Sequence, residues 1–345
     1  MGRPARADER VAAVGLWRRL LVKPELGSLI GAIVILAFFS AQSSVFRSLS
    51  GIANWLDVAS TLGIMAVAVA LLMIGGHFDL SAGVLTGTTA LTVGIVAVQL
   101  DQNIWVAIAA ALVLALAIGA LNGWLVTRTG LPSFIITLAT FLMLQGLNLG
   151  LTKLFTGTVQ VRGIAEAPGY HSAELVLAST FSLFGQQFRI AIVWWLLATA
   201  VATWVLLRTR FGNWVFATGG DEVASRNVGV PAARTTIALF MTTATAAWLV
   251  GSITAVRLTS VQANTGTGQE LIYIVAAVIG GCLLTGGFGS AVGASLGALI
   301  FGMTLLGIPY LRWDADWFYF FLGAMLLLAV LSNRAVRRYA EAARR

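Results

Sequence analysis

The chain has 345 residues, 58% of them hydrophobic and only 10% charged, with a mean hydropathy of +0.89. A soluble domain carries roughly 25% charged residues, so a water-soluble fold is excluded and the bilayer is the relevant solvent. The formal net charge of +8 reads as membrane topology rather than nucleic-acid binding, because the basic residues stand at the ends of apolar runs.

In chain order, residues 1–25 form a polar, basic lead with Arg3, Arg6, Arg10, Arg18, Arg19 and Lys23. The first apolar run covers 26–41. A cleaved signal peptide has the same positive-then-apolar order, but the lead is long and many more runs follow. These cover about 55–74, 80–98, 104–127, 131–152, 188–207, 235–256, 271–285, 289–308 and 317–331. Most approach the roughly 20 residues that a spanning helix needs. Each must be helical, since backbone amides find no water partner in hydrocarbon. The expected fold is therefore an all-α integral membrane protein, a polytopic bundle of about ten transmembrane helices. Residues 26–331 form its transmembrane domain, and 332–345 a basic tail.

With the N-terminus inside, 16 of the 22 Lys and Arg residues fall on inner segments and 6 on outer ones. The positive-inside rule then places both termini in the cytoplasm. Two longer connections remain. Residues 153–187, outside, are positioned to cap the extracellular mouth. Residues 208–234, inside, form the longest cytoplasmic connection.

Several chemistries are missing. The two lysines, Lys23 and Lys153, do not follow glycines, so no phosphate-cradling Gly-Lys-Ser/Thr loop exists. With two histidines and one cysteine, Cys282, neither a metal cluster of Cys and His nor an intrachain disulfide is expected. No GxSxG elbow appears. Ion-driven transporters commonly carry ionisable residues in mid-span, and only Asp57 and Asp79 qualify, both near span ends. The energy source is expected on another chain, and no cofactor on this one. An ion-gradient-driven secondary transporter is the alternative.

Within 208–234 the residues punctuate a short helix. Asp221 is a good N-cap after the flexible pair Gly219-Gly220. Glu222 lies in the first turn and pairs with Arg226 four residues on. Gly229 fits the C′ position, with Pro231 beyond it. So short a helix is marginal alone. It is either a docking helix for a cytoplasmic subunit or a plain connection. Elsewhere, Gly75-Gly76 ends one span and Asp79-Leu80-Ser81 opens the next, with Asp79 as a natural N-cap. Glycine pairs at membrane depth permit broken helices that line a cavity, although for Asp79 itself a tight capped turn at the interface is the favoured reading. Thr137, Thr140, Gln145 and Asn148 place polar groups along the span that Pro132 opens. They suit either a polar path or helix–helix hydrogen bonds.

Four ordered blocks carry a resemblance. They are Gly75-Gly76-His77-Phe78-Asp79-Leu80-Ser81-Ala82-Gly83, Pro132-Ser133-Phe134-Ile135-Ile136-Thr137-Leu138-Ala139-Thr140, Thr209 to Gly229, and Ile279-Gly280-Gly281 through Gly286-Gly287-Phe288-Gly289-Ser290. Together they resemble the ribose-type permease family of ABC importers, with Asp221 where that family often has Asn and Ser225 where Ala is common. His77 also departs from the family pattern.

The resemblance implies a bacterial inner-membrane permease for a small polar solute, with a monosaccharide as the first expectation. It implies a second permease chain, cytoplasmic ATPase subunits that use ATP and Mg, and an extracytoplasmic solute-binding protein. It assigns ATPase coupling to Gly219, Gly220, Asp221, Glu222, Ala224, Ser225, Arg226 and Gly229. The candidates for the translocation path are Gly75, Gly76, Asp79, Ser81, Phe134, Thr137, Gln145 and Asn148.

Overall fold

A computed structural model describes residues 24–342, with side chains from 25 to 331. Most of the basic lead 1–25 and the side chains of the tail 332–345 lie outside the described residues. In chain order the helices are α1 (Pro24–Gln42), α2 (Ser44–Arg47), α3 (Leu49–Ile74), α4 (Ala82–Gly94, continued by a π-helical turn over Ile95–Gln99), α5 (Ile104–Thr129) and α6 (Ser133–Thr156). There follow β1 (Gln160–Arg162), α7 (Tyr170–Leu177), the strands β2 (Thr180–Leu183) and β3 (Gln186–Arg189), and α8 (Ala191–Arg208). The chain continues with α9 (Arg210–Gly220), α10 (Glu222–Asn227), α11 (Ala232–Leu258), β4 (Ser260–Gln262), α12 (Gln269–Ile279), α13 (Ala291–Tyr310) and α14 (Trp317–Ala342).

Among the described residues, eight helices are long and apolar enough to cross a membrane: α1, α3, α4 with its π turn, α5, α6, α8, α11 and α13. Two shorter apolar stretches, Gln269–Ile279 and Trp317–Leu331, bring the apolar segments to the expected ten. The run expected at 271–285 is corrected by the structure. Its helix ends at Ile279, because Gly280 and Gly281 stop it, with Gly281 at φ 94°. At 1.5 Å per residue the 11-residue α12 is about 16 Å long, half of a hydrocarbon core of about 30 Å.

The bundle is built around α3. From Ile64 to Ile74 every residue is buried, as expected for a helix that is apolar on all sides and has neighbours all round. Those neighbours are α8, α11, α12 and α13. Small residues let the helices approach closely. At Gly123 a Cβ would sit 2.7 Å from the Ile237 Cα, which is why α5 and α11 pack backbone to backbone.

At the end of the bundle opposite residues 208–234, the connections pair with one another. Strand β1 pairs antiparallel with β4, and β2 with β3. The Tyr170 hydroxyl donates to the Val256 carbonyl at 2.9 Å, and Trp194 Nε1 donates to the Val176 carbonyl at 2.9 Å. Segment 157–190 thus ties itself to the outer ends of α8 and α11. Beside it, Arg257 on α11 grips Asp57 on α3 with two hydrogen bonds, of 2.9 and 2.6 Å. The pair is half-buried, and removing one partner strands the other charge. Arg257→Ala is expected to destabilise the fold by about 2 kcal/mol, below the cost for a fully buried pair because water reaches this one. Thermal unfolding in detergent checks this, and Asp57→Ala/Arg257→Ala should recover part of the loss.

Candidate functional site

The break between α3 and α4 runs inward through the bundle. Gly75 caps α3 and Gly76 turns the chain at φ 88°. The next residues climb beside α6 in non-helical form. The Phe78 N–H donates to Ser133 Oγ at 2.9 Å, and the Leu80 N–H to Thr137 Oγ1 at 3.0 Å. Asn122 on α5 donates to Ser81 Oγ at 3.1 Å and accepts from Thr140 Oγ1 at 2.6 Å. Seven residues of α6 separate Ser133 from Thr140, so the start of α4 lies about 10 Å deeper than the start of α6.

Asp79 is 1% exposed and accepts from both the N–H and the hydroxyl of Ser81, at 2.8 and 2.6 Å. Asp79 is thus not the N-cap read from the sequence. Ser81 occupies that position, without a side-chain cap bond of its own.

A second break enters from the opposite face. After β4 the Ala263 N–H donates to the Val159 carbonyl at 2.8 Å. The chain then descends along α4, with Thr265 against Gly87 and Gly266 against Gly83. It reaches α12, where the Glu270 carboxylate accepts from the Gly268 N–H at 3.1 Å and lies against Gly83. The N-terminal ends of α4 and α12 therefore meet inside the bundle, pointing at one another. Each carries the partial positive charge of a helix start. Asp79 and Glu270, the latter 8% exposed, are the carboxylates placed there. Among the described residues neither has a basic partner.

Beside this meeting point lies a crevice of about 340 Å³ between α4, α5 and α6. Its walls are mostly Leu and Ile, with Thr88, Thr92, Thr140, Asn148 and Thr152 interspersed. Helix α6 is inverted relative to a soluble helix. Its buried stripe is Ser133, Thr137, Thr140, Leu144, Asn148 and Thr152, while Leu138, Leu142, Leu147 and Leu154 are exposed. Asn148 Nδ2 and Thr152 Oγ1 are buried with no hydrogen-bond partner. Such orphans are rare in folded proteins. Of the path candidates, Asn148 lines the crevice, Asp79, Ser81 and Thr137 belong to the adjoining polar network, and Gly75 and Gly76 form the turn below it. Phe134 and Gln145 are exposed elsewhere on α6 and do not join them. Sequence reasoning missed Asn122 and Glu270. For Asn122 the available signal was a polar residue within an apolar span; Glu270 stands just before its apolar run and carried no such signal.

Residues 208–234 hold two helices rather than one. Thr209 Oγ1 caps α9 by accepting from the Gly212 N–H at 3.2 Å. Asp221 Oδ1 caps α10 by accepting from the Ala224 N–H at 2.9 Å. Glu222 and Arg226 pair across one turn. The Ser225 hydroxyl, on a buried residue, donates to the Glu222 carbonyl at 2.8 Å. Gly229 ends the helix at φ 85°, and the Val230 N–H returns to the Ser225 carbonyl at 3.0 Å. Ala224 is exposed.

The pair Gly219-Gly220, expected as a flexible link, is instead the last turn of α9, and Gly219 is wedged. A Cβ on it would overlap the Ile74 carbonyl oxygen and come within 2.8 Å of the Gly287 nitrogen. The Gly287 N–H donates to that same Ile74 carbonyl at 2.8 Å. A Cβ on Gly286 would sit 2.8 Å from the Gly76 Cα. Three segments thus meet backbone to backbone: the end of α3, the end of α9 and the turn between α12 and α13.

Among the described residues, no three His, Cys, Asp or Glu side chains converge as a metal site needs. The model of a family described as the permease component of branched-chain amino acid transport systems matches residues 51–330. The ribose import permease protein RbsC of Escherichia coli (strain K12) is 34% identical over 314 residues, which cover 89% of this chain and 92% of the relative. The xylose transport system permease protein XylH of the same strain is 30% identical over 364 residues, covering 89% of this chain and 90% of the relative. The autoinducer 2 import system permease protein LsrC of Salmonella typhi is 30% identical over 308 residues, covering 89% and 84%. No solved structure gives a significant match.

The glycine junction makes a sharp comparison possible. Gly219→Ala must push backbone against backbone and is expected to cost about 2 kcal/mol, as overpacked sites do. Gly220, with nothing within 4 Å of its Cβ position, should accept alanine at no cost. Thermal unfolding of both variants in the same detergent checks the difference.

Proposed function

The chain belongs to the permease family of ATP-binding-cassette importers, and we propose that it forms the path for a monosaccharide or a close relative in size and polarity. The relatives that import ribose and xylose support the solute class. The crevice supports the location. It offers a few hydroxyl and amide groups between apolar walls, which suits weak, transient hydrogen bonding to a sugar. The orphaned Asn148 Nδ2 and Thr152 Oγ1 are the groups that such a solute would satisfy. Because α6 exposes an apolar face beside the crevice, a second permease chain would close that side. An extracytoplasmic binding protein would deliver solute to the outer cap.

The observation that carries ATP coupling is the geometry of α10. It projects from the cytoplasmic side with Val223 70% exposed, and Val228 at its C-cap is 79% exposed. It is capped at both ends, and it follows directly on the wedged Gly219. Two bare valines on a firmly held helix suit the cleft of an ATPase subunit. Closure of two ATPases, with ATP and Mg bound on them, would move α10 and, through the glycine junction, the inner ends of α3 and α12.

A gradient-driven mechanism has one observation in its favour, the buried carboxylates Asp79 and Glu270 at the meeting of α4 and α12. Uptake in ATP-free vesicles that follows an imposed ion gradient would support that mechanism and sink the proposal.

Burial of each valine at a docking cleft contributes about 1.5 kcal/mol. Val223→Asp/Val228→Asp should therefore weaken ATPase association about a hundredfold while leaving membrane insertion intact. Co-purification of the ATPase with the tagged chain measures this, and undiminished co-purification would count against the docking role.

A further inference from the structure

A second crevice, of about 600 Å³, lies between α3, α8 and α11, away from the proposed path. Nothing described so far uses it. On α8 its wall is Ala198, Val201, Ala202 and Val205, a single helical face continued by Thr209 just past the helix end. That face is about 16 Å long and runs from the cytoplasmic end of α8 toward its middle, which matches one leaflet of a hydrocarbon core of about 30 Å. Small residues on each wall, Ala68, Ala202 and Ala246, are what keep the three helices from closing on one another. The lining is almost wholly apolar.

The mouth differs. Thr209 and Phe211 line it, and Arg208 and Arg210 flank Thr209 on either side in sequence. Both arginines are exposed, and among the described residues neither belongs to an ion pair. The positive-inside topology puts this end at the cytoplasmic headgroup level. An apolar slot one leaflet deep, whose mouth residue Thr209 is followed and preceded in the chain by exposed arginines, has the chemistry of a phospholipid site: a chain below, a phosphate above.

We propose that this crevice binds one anionic phospholipid of the inner leaflet, its acyl chain between α3, α8 and α11 and its phosphate at Arg208 and Arg210. The bound lipid sits against the start of α9, so it braces the helix that leads to Gly219 and α10.

The test uses the full chain in nanodiscs of phosphatidylcholine, with or without phosphatidylglycerol, released and weighed by native mass spectrometry. The wild type should retain about one phosphatidylglycerol per chain in preference to phosphatidylcholine. Arg208→Gln/Arg210→Gln changes only exposed residues. It should weaken retention about thirtyfold, since each basic group contributes about fivefold to an anionic surface. Ala202→Phe should fill the slot and exclude both lipids. Equal retention of the two lipids by the wild type would overturn the proposal, as would undiminished retention by the arginine variant. So would loss of self-association, rather than of lipid, in Ala202→Phe. If Ala202→Phe fails to fold, the arginine variant decides alone.

Discussion

Every peptide group within hydrocarbon must find a partner inside the protein. The helices meet that demand automatically, and the two breaks between α3 and α4 and between α11 and α12 do not. Their chain is led past side chains that replace the missing helical bonds. Ser133 and Thr137 accept from Phe78 and Leu80, and Glu270 accepts from Gly268. Asn122 on α5 then ties the start of α4 to α6 by bonding Ser81 Oγ and Thr140 Oγ1. A site of small polar groups in an otherwise apolar bundle is thus a by-product of breaking helices at depth. The crevice beside the breaks inherits their hydroxyl and amide groups.

The charges follow the same logic. Carboxylates buried without a cation are costly, yet Asp79 and Glu270 sit where two helix starts converge. Backbone dipoles and donated hydrogen bonds take the place of a lysine or arginine. At the outer side, where water has access, the bundle instead uses the Asp57–Arg257 pair. One protein therefore holds its acidic groups in two ways, according to depth.

Much of this was legible in the sequence. Hydropathy located the spanning helices within a few residues, because apolar runs have little other use. Asp221, Glu222, Arg226 and Gly229 announced α10, since caps and i,i+4 pairs are local signals. Glycine pairs announced the breaks. Long-range facts were hidden. Gly219 reads as a flexible link until Ile74 and Gly287, distant in sequence, are seen pressed against it. Gln145 and Asn148 are both polar and lie three residues apart, yet only Asn148 turns inward, and the facing helices rather than α6 decide that. Helix α9 escaped because its buried face, Gly212, Val215 and Thr218, is small and barely hydrophobic. The length of α12 was overestimated because the apolar residues continue past Ile279 while the helix does not.

The shortness of α12 bears on how the chain is made. A segment about 16 Å long with a glutamate in its first turn cannot hold itself across a bilayer, since a charged residue at depth opposes insertion by about 3 kcal/mol. It becomes stable only when the start of α4 lies against Glu270 and α13 packs on its other side. Helix α4 is synthesised long before it and α13 just after. Biogenesis is therefore ordered. The early helices must be in place and waiting, and α12 enters with α13 as a hairpin onto a template already built.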